Sequence, residues 1–245
     1  MRGLLGRMAG RMGLTIRRGP PNRFDAMEDV LRHLRAQEFS PAVVIDVGAN
    51  VGAWTDLAAR YFDAGEFHLV EPQPGCLQVL QRFRPPRYTI HPVALTAAGI
   101  DAVAIVGGGA DSVGTGAGVV PLSGGGPTPV IAPATTLDAL LGGRWTAGAR
   151  VLLKLDVESH ELSILRAGSR VLDEVEVAIL EFQVFHFDGV IAALFADVVP
   201  FMHERGFILY DIASLASRPR DGRQRTGDAV FVKAGSALLR DARWA

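Results

Sequence analysis

The stretch V-V-I-D-V-G-A-N-V-G-A-W-T, residues 43–55, decides how this chain is read. A short apolar run rich in β-branched side chains, residues 42–46, ends on the acid Asp46. That composition suits a parallel strand buried on both faces. Glycine follows at 48 and 52, and then Trp54, Leu57, Ala58 and Tyr61 recur at helical spacing. Glycines in such a strand-to-helix turn let backbone approach a ligand closely and let the helix pack tightly on the strand.

Outward from this turn the pattern alternates. Residues 67–71 read as a second strand ending on Glu71, and Leu77, Leu80 and Phe83 mark a second helix. Residues 87–95 read as a third strand, 151–156 as a fourth and 177–181 as a fifth. Leu162, Leu165 and Leu172 mark the helix between the last two. Ile191, Leu194, Phe195 and Val198 form another helical face, which Pro200 is expected to bend or end. Strand and helix taking turns predict an α/β fold: a doubly wound, mostly parallel sheet covered on both faces. Two late strands, 207–211 and 229–233, lie too close for a full helical crossover, so the C-terminal strand is expected to pair antiparallel.

One domain is expected over residues 25–245, opening with a helix carrying Met27, Val30, Leu31 and Leu34. A basic arm, residues 1–24, precedes it, with six arginines ahead of the first acid, Asp25. Leu4, Leu5, Met8 and Met12 share one helical face there, a pattern that suits weak contact with an anionic membrane surface. Residues 107–134 are dense in glycine and proline and read as a loop or hairpin insertion. The chain has 245 residues, a net charge of −1 and one cysteine, Cys76. The charge offers no general attraction to nucleic acid. A single thiol excludes an intrachain disulfide and a Cys/His zinc cluster, which suits a reducing, cytoplasmic setting. No run of eighteen apolar residues marks a membrane span, and the N-terminus lacks the apolar centre of a signal peptide. The sequence assigns no oligomeric state.

Asp46 and Glu71 bear on the ligand. Glu71 lies 19 residues beyond Gly52, the separation expected of a carboxylate that binds ribose hydroxyls. A dinucleotide would put a pyrophosphate over the turn, where Asp46 opposes its charge. S-adenosylmethionine (SAM) presents an ammonium and a sulfonium, which Asp46 favours. The glycine spacing also departs from Gly-x-Gly-x-x-Gly. SAM is the expected cofactor, with Asp46, Gly48, Asn50, Gly52 and Glu71 as its site. An NAD(P)-dependent oxidoreductase on the same turn is the rival reading, and a non-catalytic SAM-binding module is another.

At these residues the chain resembles the FkbM family of SAM-dependent methyltransferases. The resemblance is carried by D-V-G-A-N-V-G (46–52), V-E-P (70–72), T-L-D-A-L (136–140) and L-K-L-D-V-E-S-H-E-L-S-I-L-R-A-G (153–168), with Glu181 closing the next strand. It implies the class I methyltransferase (Rossmann-like) fold and methyl transfer from SAM to a hydroxyl, commonly on a sugar or secondary metabolite. The family usually has glycine after D-V-E; here Ser159 and His160 stand, so local substrate geometry is expected to differ.

Ligands of open parallel sheets bind outside the carboxyl ends of the strands, where Asp156 and Glu181 are expected. Asp156, His160 and Glu181 are the candidate catalytic residues, with His186 as a further base. Flanked by Phe185 and Phe187, His186 reads more readily as a packing residue. Glu158 and Glu161 suit the dipole at a helix start. Oxygen donors at 156, 158 and 181 with His160 would also suit a hard cation. Nothing in their spacing demands one, so no metal is expected. Lys154, inside a strand, reads as structural.

Overall fold

The computed structural model describes residues 23–106, 118–120, 130–145, 148–186 and 193–241. The arm over 1–22 and the glycine-rich runs 107–117 and 121–129 lie outside the described residues.

In chain order the elements begin α1 (Arg23–Ala36), β1 (Val43–Val47), α2 (Ala53–Tyr61), β2 (Glu66–Val70), α3 (Pro74–Leu80) and β3 (Tyr88–His91). Then come β4 (Ala94–Leu95), β5 (Ala102–Val106), β6 (Gly118–Val120), β7 (Val130–Thr135), α4 (Leu137–Leu141) and β8 (Val151–Leu155). The chain continues through α5 (Glu161–Arg166), α6 (Ser169–Glu174), β9 (Val175–Gln183), α7 (Phe195–Glu204), β10 (Phe207–Ser217) and β11 (Gln224–Lys233). The principal sheet runs β10-β11-β9-β8-β1-β2-β3. Only β11 opposes its neighbours; the other pairings are parallel. This is the class I methyltransferase architecture, with the antiparallel C-terminal strand expected from the sequence.

Alternation within the central strands divides the core into two layers. Val43, Ile45, Val47, Leu153 and Leu155 face Leu137, Leu141, Ile164, Leu165, Leu172, Val198 and Met202. Val44 and Leu152 face Leu31, Leu34, Trp54, Leu57 and Ala58 on the other side. Both faces are covered, so β1 and β8 are buried throughout. Their run of apolar residues is interrupted only by Asp46 and Lys154, which are register partners on adjacent strands and share the α2 face.

Several elements differ from the sequence reading. The expected strand over 87–95 is two strands. Pro92 lacks the N–H a ladder needs, and Val93 N–H donates to the His91 carbonyl at 2.9 Å, turning the chain. After that turn Ala94 and Leu95 leave the main sheet and pair with β7 in a second sheet of order β4-β7-β5-β6. Helix α7 does not end at Pro200 but carries it inside and runs on to Glu204. Val198 and Met202, buried on either side of the proline, hold it against the core, and packing overrides the local preference. The last two strands are about twice their expected length, because their distal ends carry polar residues that hide the alternation.

Among the described residues no helix is long and apolar enough to cross a membrane. Cys76 is buried in α3, and its thiol is pushed up to about 11 by burial, with the charge of Glu71 adding to it. It is therefore an unreactive packing side chain at neutral pH.

Candidate active site at the ends of the central strands

The chain leaves β1 for β2 on one side and returns through β8 on the other, so the sheet order reverses between β1 and β8. Crevices at such points hold ligands in open α/β sheets. Gly48, Asn50 and Gly52 all take left-handed backbone, with φ of 77°, 48° and 79°. Glycine adopts this at no steric cost and asparagine tolerates it. The need at Gly48 is also spatial, because a Cβ there would sit 1.9 Å from the Asp156 carbonyl oxygen. At Gly52 it would meet the Phe83 ring at 2.4 Å.

Glu71 follows β2 and is buried. One of its oxygens accepts the Asn50 N–H and the other the Gln73 N–H, each at 2.8 Å. Burial raises its carboxyl above the usual range, and the two amides partly offset this. Glu71 thus ties the second strand to the left-handed turn of the first. Asn50 adds a local lock, its side-chain oxygen accepting the Val51 N–H at 2.7 Å.

Asp46 is 1% exposed and faces inward. It accepts the Thr55 hydroxyl at 2.6 Å and pairs with Lys154 Nζ at 3.2 Å. Lys154, itself 5% exposed, also donates to the Gly48 carbonyl at 3.2 Å and lies 3.5 Å from Asp156. One ammonium therefore joins both acids and the turn between them. Lys154 is thus more than the structural strand residue its local sequence suggests. The signal that marks it is a cation inside a strand otherwise wholly apolar, because a charge is buried there only with a partner.

Asp156 lines an open pocket of about 480 Å³ together with Met27, the turn from Gly48 to Val51, Ala53, Trp54 and Lys154. Carboxylate oxygens of Asp156, Glu158 and Glu181 come within 4.8 Å of one another, while His160 lies outside that group. Glu181 is buried and accepts the Thr226 hydroxyl at 3.4 Å. His160 is half-buried at the start of α5, where its carbonyl accepts from Ile164 N–H and the Ser163 hydroxyl. His186 is exposed, which corrects its reading as a packed histidine.

The segment after β8 is strained. Glu158 and Ser159 have φ of 55° and 85°, in the left-handed region. Ser159 therefore occupies the glycine position of the family motif in the backbone shape that glycine would take. Replacing it by glycine is expected to raise unfolding free energy by about 1 kcal/mol, strain relief outweighing the freer unfolded chain. A urea midpoint below that of the parent would show the strain to be absent.

Glu161 does more than complement the dipole of its helix, for it is only 1% exposed. Its side chain accepts the Val157 N–H at 3.0 Å and so braces the strained segment. Burial raises its carboxyl from 4.5 to about 7, with the Asp156 charge adding and backbone amides opposing. Below pH 4.5 folded and unfolded states both hold this proton; up to about pH 7 the folded state holds it more tightly. Stability should thus fall as pH rises through that window, by ~3 kcal/mol in all, and then level off. Denaturation of the Glu161→Gln variant should show this dependence largely removed. An unchanged slope would place the effect elsewhere.

Residues 46–209 match the model of the family described as the methyltransferase FkbM domain. With the sheet order and the site above, the class is a methyltransferase of class I fold. The chain belongs to the FkbM methyltransferase family. Among curated proteins none is similar enough to count as a relative. Solved structures with related folds include an FkbM methyltransferase from Methylobacillus flagellatus, 15% identical, with a TM-score of 0.44 over 79% of this chain. The match spans only 44% of that protein's length. A putative RNA methyltransferase from Pyrococcus horikoshii is 12% identical over 93% of this chain and 96% of its own, with a TM-score of 0.46. Magnesium protoporphyrin IX methyltransferase from Synechocystis, solved with bound SAM, is 11% identical over 89% of this chain and 86% of its own, with a TM-score of 0.46.

Proposed function

We propose that this protein is a SAM-dependent O-methyltransferase acting on a hydroxyl of a sugar, glycan or secondary metabolite in the cytoplasm. The observation that carries the reading is the left-handed turn from Gly48 to Gly52, braced by Glu71 and opening on a pocket that Asp156 lines. The residues fit SAM. Glu71 uses its remaining lone pairs for ribose hydroxyls, and Gly48, Asn50 and Gly52 let backbone come close to the ligand. Asp46, Asp156 and Lys154 together carry net negative charge, which favours a cationic ligand over a pyrophosphate.

SAM supplies a methyl group activated by its positive sulfur. The chain supplies position, the larger contribution in displacement chemistry, where good orientation is worth effective molarities of about 10⁵–10⁸ M. Lys154 fixes Asp156 at the pocket wall, and Asp156 accepts the hydrogen bond of the incoming hydroxyl. Glu181, whose carboxylate comes within 4.8 Å of that of Asp156, and His160, at the start of α5, are the groups to receive the proton, a role worth about 10²–10⁴ in rate. The net charge of −1 gives no general attraction to a polyanion, which favours a small molecule or glycan over RNA.

Turnover of SAM to S-adenosylhomocysteine over a panel of hydroxylated acceptors tests this reading. The Asp156→Asn variant should lose about 10²-fold or more in kcat while cofactor affinity changes little. Equal losses in both would move Asp156 to cofactor binding, and binding without turnover on any acceptor would favour a non-catalytic module.

A further inference from the structure

The turn that joins β10 to β11 carries a local concentration of positive charge. Residues 218–225 hold Arg218, Arg220, Arg223 and Arg225 against one acid, Asp221, so four charges less one leave +3 in a chain whose total is −1. This tip is laced to the strand that bears Glu181. The Val184 N–H donates to the Arg225 carbonyl at 2.7 Å, Thr226 pairs with Gln183, and the Thr226 hydroxyl donates to Glu181 at 3.4 Å. Glu181 in turn belongs to the carboxylate group of Asp156. Four residues separate Glu181 from Phe185, so at most about 14 Å of chain lies between those acids and the tip.

The arginines of the tip have different duties. Arg218 is committed, because both oxygens of Asp221 accept from its guanidinium, and Asp221 also accepts the Arg223 backbone N–H, which shapes the turn. Arg218 and Arg223 lie over the Phe185 ring, 5.1 and 4.1 Å from its centre. Stacking holds a guanidinium in place, while its N–H donors lie in its own plane and stay available at its edge. Arg220 and Arg223 are exposed and Arg225 is half-buried. With Asp221 engaged by Arg218, the fold keeps these like charges together against their repulsion. Guanidinium forks match the oxygens of a phosphate, whereas a neutral sugar would use none of this charge. The acids around Asp156 repel an anion and the arginines attract one, so an acceptor with a phosphate at one end can bind in one direction only.

We propose that the β10–β11 tip is an anion subsite for the methyl acceptor, which is a sugar joined to a phosphate or diphosphate. Its hydroxyl faces Asp156 and Glu181, and its phosphate lies among Arg220, Arg223 and Arg225. The assignment rests on the O-methyltransferase reading above and deepens it by naming the charge of the acceptor.

Calorimetry on the full chain tests this, with S-adenosylhomocysteine saturating so that no probe can occupy the cofactor turn. The probes are UDP-glucose and UDP-galactose, with free glucose, free galactose and inorganic pyrophosphate beside them. At least one nucleotide sugar should bind more tightly than its free sugar and than pyrophosphate, by about 10-fold or more. The double variant Arg220→Gln, Arg223→Gln should lose most of that preference at unchanged affinity for S-adenosylhomocysteine. Both side chains are exposed, so the variant is expected to fold. Equal binding of charged and free sugars in the parent, or no binding of either nucleotide sugar, would overturn the proposal without any variant. So would pyrophosphate binding as tightly as the nucleotide sugars, which would make the tip a site for free phosphate, or a preference that survives in the variant. A parent that does not bind S-adenosylhomocysteine would instead refute the SAM reading.

Discussion

Replacing Lys154 by methionine is expected to cost about 3–5 kcal/mol of folding stability, far more than an exposed lysine would. The ammonium lies 3.2 Å from Asp46, a carboxylate 1% exposed. Without it that negative charge stays buried, held by the Thr55 hydroxyl at 2.6 Å but with no cation to balance it. The hold on Asp156 and on the Gly48 carbonyl goes too. Methionine keeps the length of the stem, so lost packing contributes little. Changing both partners, Asp46→Asn with Lys154→Met, should recover much of the loss, since two neutral groups leave no buried charge. A cost below about 1 kcal/mol for the single change, typical of surface pairs, would mean the pair is not buried as described.

Gly48→Ala should be comparably damaging for a different reason. The added methyl would lie 1.9 Å from the Asp156 carbonyl oxygen and 2.9 Å from its carbon, in backbone at φ 77°. The oxygen cannot retreat freely, because the Asp156 N–H is tied to the Val47 carbonyl at 3.1 Å. Overpacking and left-handed strain together are worth about 3 kcal/mol or more, and binding at the turn should be lost with the geometry. Gly99 is the control: its φ is 84°, but a methyl added there would meet nothing within 4 Å. Gly99→Ala should cost only about 1 kcal/mol. Equal midpoints for the two variants in urea would show that the two strand ends do not cross closely at Gly48.

These two sites show how much of the protein is legible in its sequence. The turn, its two acids and the strand end before Asp156 are readable, because period, β-branching and glycine are local signals, whereas β9 runs on past Glu181 to Gln183. The antiparallel final strand follows from loop length alone. Lys154 escapes such a reading because its meaning is non-local. It is set by Asp46, its partner on a strand that becomes its neighbour only when the sheet forms. Trp54 and Glu161 are hidden in the same way. Each fits its helix pattern, and only burial shows one to be an indole N–H lacking a hydrogen-bond partner among the described residues and the other a carboxyl pushed up to about 7. Pro92 and Pro200 mark opposite outcomes of one local rule. At Pro92 the ladder breaks, while at Pro200 the buried flanks Val198 and Met202 carry the helix through.

If the acid-braced turn between β1 and α2 holds a cationic sulfur nucleoside, the protein must choose that ligand over a dinucleotide. Equilibrium dialysis of the full chain against SAM and, in parallel, against NAD and NADP tests this most directly. Saturable binding of SAM with none of either dinucleotide is the result expected. Retention of NAD or NADP without SAM would contradict it.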